Sequence, residues 1–269
     1  MKTKLRSVLL ISTLIITSTL GCKKKSDEQP TTIANCETKY EVFFDESAAT
    51  SSAAATTYES GQIKTLNSGE GIYDYTYTAN QVTVSVAGVA YYRIDITNGL
   101  ASKITDLNSI LEQRLSYDGN RNLVKIETYS QAALTDTKTL SYNNGNLVTL
   151  SQTYPESPDV QKITTYSHST EVAGKVESET RHLFFSDIDP FLPTFLTGTT
   201  SKNRITSSRY VYIAGTFHYE SDKTYTYTGN GNATPSKIIE DTHTVAVGNG
   251  TTTLDERIKK TLLITSSCD

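Results

Sequence analysis

The chain has 269 residues, 36% of them hydrophobic, with 25 Lys and Arg against 29 Asp and Glu for a formal charge of −4. That length suits one large all-β domain or two small ones, and the lack of a basic stripe argues against nucleic acid as a partner. Seventeen Tyr and no Trp, in a background rich in Ser, Thr and Asn, point to antiparallel sheet with one solvated face.

The N-terminus reads as an address. Lys2, Lys4 and Arg6 form a positive n-region ahead of an apolar stretch at residues 8–20. This stretch is shorter than the ~20 residues a membrane span requires and suits a secretory signal. It ends in Ser18-Thr19-Leu20-Gly21-Cys22, which resembles the lipobox of bacterial lipoproteins, with Thr19 departing from that pattern. The resemblance implies a signal peptide over residues 1–21 and a lipid on Cys22, hence anchoring to the outer membrane on its periplasmic or external face. Residues 22–35 follow as a charged tether without apolar periodicity. Lys23, Lys24 and Lys25 resemble the surface-export signals of Bacteroidetes lipoproteins, or serve anionic headgroups. Residues 36–269 are expected to form a single all-β repeat domain, monomeric.

Within that domain, residues 40–45 predict a first strand. The Ala/Ser/Thr run at 48–55 has no apolar stripe at helical spacing and is expected to be a loop. Tyr58 to Ile63 introduces a recurring unit: an aromatic residue, a small polar turn, then an aliphatic one. Tyr73, Tyr75 and Tyr77 alternate on one face, and Val82, Val84 and Val86 follow a turn at 78–81. Tyr92, Ile94 and Ile96 lead to Asn98-Gly99, a pair suited to a two-residue hairpin turn with φ > 0 at both positions. Residues 115–129 and 140–154 then repeat one pattern, Leu-Ser-Tyr, a turn of Asp118-Gly119-Asn120 or Asn143-Asn144-Gly145, and an Asn-Leu-Val opening to the next strand. Weaker copies surround Ala173-Gly174, Ala214-Gly215 and Gly229-Asn230-Gly231, and residues 245–266 supply a closing hairpin.

One segment breaks this rhythm. Phe184, Phe185, Phe191 and Phe195 cluster around Pro190 and Pro193, a proline content that no interior strand tolerates. Asp189 and Pro190 suit the start of a short helix. The segment is expected to be an apolar plug followed by a loop over 198–204, with the four Phe either facing a ligand or, more simply, capping the core.

No catalytic constellation stands out. His168, His182, His218 and His243 are scattered, and no G-x-S-x-G elbow is present. The run from Asp118 to Asn122 superficially opens like a calcium loop, but Leu123 and Tyr129 occupy the positions of its required Gly and Glu, so a hairpin turn is expected and no metal or cofactor is implied. Cys36 and Cys268 stand near the two ends of the domain. In an exported chain they are either a disulfide or two unpaired thiols.

Taken together, the lipobox, the tether, the Tyr-x-x-Gly-x-Ile and Tyr-Asp-Gly-Asn-Arg-Asn-Leu units, the Pro-Phe-Leu-Pro insertion and Ser201-Lys202-Asn203 resemble a group of uncharacterised Bacteroidetes lipoproteins. That resemblance implies a porin-like, many-stranded β fold over about residues 36–268, and no catalytic residues. The units also resemble the YD repeats of large encapsulating toxins, although this chain is far too short for such a shell. The expected architecture is all-β, with antiparallel hairpin repeats forming a large curled sheet or open barrel of roughly twelve strands. A membrane-spanning barrel is disfavoured because the strands carry Thr, Ser and Lys on both faces. The function read from the sequence is a lipid-anchored envelope module that binds a glycan or a protein. The alternative is a secreted, glycosidase-like hydrolase using paired carboxylates.

Overall fold

A computed structural model describes residues 35–44, 52–59, 62–68, 71–173, 201–229 and 235–268. The signal peptide, Cys22, His182 and the Phe184, Phe185, Phe191 and Phe195 segment lie outside these residues, as does the second half of the copy around Gly174.

The described residues form sixteen strands in one antiparallel sheet that closes on itself. In chain order they are β1 (Asn35–Phe44), β2 (Ser52–Glu59), β3 (Gln62–Asn67), β4 (Ile72–Tyr77), β5 (Gln81–Val86), β6 (Val89–Thr97), β7 (Leu100–Asp106) and β8 (Leu111–Tyr117). They continue with β9 (Leu123–Ser130), β10 (Ala133–Asn143), β11 (Asn146–Thr153), β12 (Val160–Val172), β13 (Asn203–Ala214), β14 (Phe217–Thr228), β15 (Lys237–Gly248) and β16 (Thr251–Cys268). Each strand pairs with its neighbours in sequence, and β1 pairs with β16. Closure removes the free edges that an open sheet would expose. The all-β antiparallel class holds, and the expected curled sheet or open barrel of roughly twelve strands is corrected to a closed barrel of sixteen. Residues 52–55, expected in a loop, begin β2, because β1 offers all four an extended partner, joined by β3 at Ala55, that propensity does not foresee. Asn203 and Arg204, expected to end a loop, open β13.

An up-and-down meander places connections alternately at two rims. The first rim holds the turns that follow even-numbered strands, together with Asn35 and Cys268. Here the repeated unit becomes geometry. The register shifts just before Tyr58, Ile96, Tyr117 and Tyr142 on the incoming strands, the extra residue of each β-bulge (Lys64, Ser102, Val124 and Val148) lies on the outgoing strand, and the four residues pair with Ile63, Ala101, Leu123 and Leu147. The bulges raise local twist at the rim, as a closing sheet requires. The tyrosine hydroxyls then tie neighbouring strands together. Tyr77 donates to the Ile63 carbonyl at 2.9 Å, Tyr117 to that of Ala101 at 2.8 Å, and Tyr227 to that of Ile205 at 2.7 Å. Burial pushes the Tyr77 and Tyr117 phenols well above their usual range, which keeps them protonated as donors. Asn98-Gly99 and Asn144-Gly145 take positive φ at both positions, as their sequences demand.

Side chains alternate between the two faces except where a bulge shifts the phase, as between Leu123 and Ile126 or Leu147 and Leu150, all four of which are buried. Val82, Val84 and Leu262 are 0% exposed, and with Ile94, Leu123, Ile126 and Ile238 they belong to one contiguous apolar cluster on the inner face. The outer face between them carries charge. Asp95 sits beside Arg93 (3.6 Å) and Lys103 (3.4 Å), Lys103 beside Glu112 (3.7 Å), and Glu112 beside Arg114 (2.8 Å), with Lys125 paired to Glu127 (3.0 Å). The Arg114 guanidinium also lies 4.2 Å from the Tyr129 ring centroid. Each exposed pair contributes at most about 1 kcal/mol, so these ladders speak to solvation more than to stability. Their position at mid-strand is what matters. A lipid-facing barrel needs an uninterrupted apolar band there, and this wall presents ion pairs.

Candidate functional site

The twin turns, the most conspicuous feature of the sequence, are structural. Asp118 Oδ1 accepts from the Asn120 and Asn122 backbone N–H groups at 2.9 and 2.8 Å, and Oδ2 accepts from Asn122 Nδ2 at 2.9 Å. Its carboxylate thus serves the turn itself. The Asn122 side chain, its backbone N–H and that of Asn120 hold Asp118 below the usual carboxylate range. An unfolded Asp titrates near ~3.9, so this contribution is fully present above about pH 4 and is lost as pH falls through the lower folded value. Asp118→Asn is expected to flatten the acid limb of the stability curve, measured by urea melts between about pH 2 and pH 5.

The second turn is a docking point. Asn146 Nδ2 donates to Asn203 Oδ1 at 3.0 Å, and the Asn203 N–H returns a bond to Asn146 Oδ1 at 2.8 Å. Ser201 Oγ accepts from the Leu147 N–H at 3.0 Å, and the Lys202 N–H donates to the Gly145 carbonyl at 3.0 Å. Beside them Arg204, buried against the Tyr227 ring, pairs with Glu171 at 2.8 Å. Ser201, Lys202 and Asn203 are therefore fastened to the β10–β11 hairpin.

The chemistry that remains lies on the inner face toward the opposite rim, where β12 to β16 are longest. Lys162 shares its face with the buried Thr164 and Tyr166, so it projects inward, as does Tyr212, its direct partner on β13. The Lys162 ammonium lies 5.1 Å from the Tyr154 ring centroid and 5.8 Å from that of Tyr212. Tyr212 packs edge-on to Phe217 at 6.0 Å, and Tyr210 packs on Tyr219 at 5.9 Å. Among the described residues no carboxylate pairs with Lys162. These rings are half-buried, and Phe217 and Phe44 are exposed, so this part of the inner wall meets water while the cluster below it does not.

Further round the wall stands the only wholly buried charge among the described residues. Glu240, 0% exposed, faces Tyr225 on one side and Lys260 on the other. Its Oε1 receives Lys223 Nζ at 3.4 Å, Lys260 Nζ at 3.5 Å and Thr242 Oγ1 at 3.1 Å, whereas Oε2 has no hydrogen-bond partner among the described residues. Lys260 also lies 5.4 Å from the Phe44 ring centroid. A hydroxyl ladder completes the wall, with Ser208 and Tyr225 3.3 Å apart and Ser221 and Thr244 also 3.3 Å apart. The result is a band running from β12 round to β1 in which aromatic rings, lysines and hydroxyls alternate.

Sequence reading did not assemble this band. It recognised tyrosine rows, but Lys162, Lys223, Glu240 and Lys260 look like ordinary solvated charges. The available signal was period-two alternation on the long strands, where Tyr219, Ser221, Lys223, Tyr225 and Tyr227 share one face. Of the scattered histidines, His218 meets Glu220 at 2.7 Å and His243 meets Asp255 at 2.9 Å, both on the outer face.

Comparison with solved structures settles the architecture. A crystal structure described as a porin-like protein from Bacteroides uniformis ATCC 8492 matches with a TM-score of 0.61 at 16% identity, covering 87% of this chain and 97% of that one. The chain has a porin-like barrel fold. The likeness extends to the fold and not to any activity. A second structure, TcdB2-TccC3-TEV, matches at 12% identity over 77% of this chain and 14% of that one, with a TM-score of 0.28, too low to indicate a shared architecture. No family model and no curated protein matches the chain. Within the porin-like fold this barrel keeps its main apolar cluster inward and its ion-pair ladders outward, with Lys162, Lys223, Glu240 and Lys260 as inward-facing charges.

Proposed function

We propose that the protein is an envelope-anchored binding module that takes glycans carrying acidic sugars on its inner wall. The observation that carries this reading is Lys162, held between the faces of Tyr154 and Tyr212 with no carboxylate partner among the described residues. Aromatic faces suit the apolar faces of sugar rings, and an ammonium without an acid beside it suits a sugar carboxylate or sulfate.

Anchoring through a lipid on Cys22 accords with this role. Asn35 opens β1 at the rim opposite the aromatic band. The outward ion ladders support a barrel held at a membrane over one that crosses it. The hydrolase alternative finds less support. Glu112 and Glu220, on the outer face, are held low chiefly by hydrogen bonds from Arg114 and Arg209 respectively, the opposite of what a general acid needs.

The test uses the chain from Lys23 onward and a panel of acidic and neutral oligosaccharides, with affinities read by calorimetry. Tyr212→Ala is expected to weaken binding by about ten-fold or more, the equivalent of ~1.4 kcal/mol. Lys162→Gln should weaken acidic ligands only, and salt should weaken wild-type binding to them. Absence of binding across the panel, or unchanged affinity in Tyr212→Ala, overturns the reading; capture of an envelope protein in place of glycan would move the function to protein recognition.

A further inference from the structure

The barrel has one junction that local sequence does not secure. Fifteen of its sixteen strand pairings join neighbours in the chain, while β1 with β16 joins its two ends. Bringing distant segments together costs more closure entropy than forming any hairpin, so this seam is the place where the barrel would open first. Its register runs without a shift from Phe44 opposite Lys260 to Cys36 opposite Cys268. The two remaining cysteines of a chain with three are thus direct cross-strand partners, at the outermost recorded position of the seam.

We propose that Cys36 and Cys268 form a disulfide that locks the seam. Directly opposed residues of an antiparallel pair have Cα atoms about 4.5 or 5.5 Å apart, depending on whether they exchange hydrogen bonds. Both separations fall in the ~4.4–6.8 Å range that a disulfide spans, so no backbone movement is needed. The bond forms when the two thiols surrender two protons and two electrons to the disulfide of an exported thiol oxidoreductase, which leaves as the dithiol. It turns almost the entire barrel-forming chain into one covalent ring and prevents β1 and β16 from separating at the rim where β1 begins and β16 ends. This assignment is independent of what the inner wall binds.

The experiment takes the chain from Lys23 onward, exported to an oxidising compartment and purified without reductant. Thiol titration of the denatured protein should find no free thiol, and peptide mapping should recover the Cys36 and Cys268 peptides joined within one chain. Reduction should then increase amide exchange in β1 and β16 by about ten-fold or more while leaving β8 to β11 protected. The Cys36→Ala and Cys268→Ala variants should each match the reduced wild type. Two free thiols, or cross-linked peptides arising from two different chains, overturn the proposal. Mapping is done on the wild-type protein, so it decides the matter even if a variant fails to fold.

Discussion

Replacing Lys223 and Lys260 together by methionine is expected to destabilise the barrel by about 3–5 kcal/mol at neutral pH, because it strands a buried carboxylate without its compensating charges. Glu240 is 0% exposed, and the two ammonium groups lie 3.4 and 3.5 Å from the same oxygen. The lysines themselves are 24% and 28% exposed, so water already carries part of their solvation. Glu240→Leu should accordingly cost less than the double lysine change. The triple variant Glu240→Leu, Lys223→Met, Lys260→Met should recover much of the loss, since a well-packed apolar trio removes the desolvation cost along with the attraction. Urea midpoints of the four proteins at one pH check the order. A double variant as stable as wild type would show that Glu240 is reached by water.

The second large effect concerns the seam from within. Leu262→Ala is expected to cost about 2–5 kcal/mol, the usual range for emptying a filled core position. Leu262 is 0% exposed and stands opposite Val42 on β1 and Ile238 on β15, so the cavity would open where the barrel closes. Leu263, one residue on, faces outward and is only partly covered. Leu263→Ala should cost much less, within about 1 kcal/mol. Two adjacent leucines with so different a response would establish the strand's facing directly. Equal losses would mean that the outer face is covered as well.

The hairpins were legible because their causes are local. Asn98-Gly99 and Asn144-Gly145 are residues that accept positive φ at little cost, and the flanking Tyr and aliphatic residues alternate with period two. The count of strands was less legible for the same reason. Gln131 and Ala132 also turn with positive φ at both positions, yet neither residue type announces such a turn. There β9 and β10 pair up to Ser130 and Ala133, and the ladder imposes the conformation on a sequence that would not choose it. The Ala/Ser/Thr run of β2 likewise lacks the apolar alternation of a strand and is held by β1, joined by β3 at Ala55.

The candidate site was hidden more deeply. Lys162, Lys223, Glu240 and Lys260 lie on four different strands, and no window of sequence contains more than one of their cross-strand contacts. Even the tyrosine rows were ambiguous, because the same alternation serves a solvated face or an inner wall. That Cys36 and Cys268 stand opposite each other follows only from the register of β1 on β16, which joins the two ends of the barrel.

By itself the sequence determined the all-β class, the hairpin unit and the positions of most turns, since these follow from residues within a few positions of one another. Tertiary structure decided that sixteen strands close, which face turns inward, and that Glu240 is buried between two lysines. Closure and facing depend on how strands far apart in the chain meet, and only the closed sheet, by excluding water from one of its faces, gives the alternation its inside and outside.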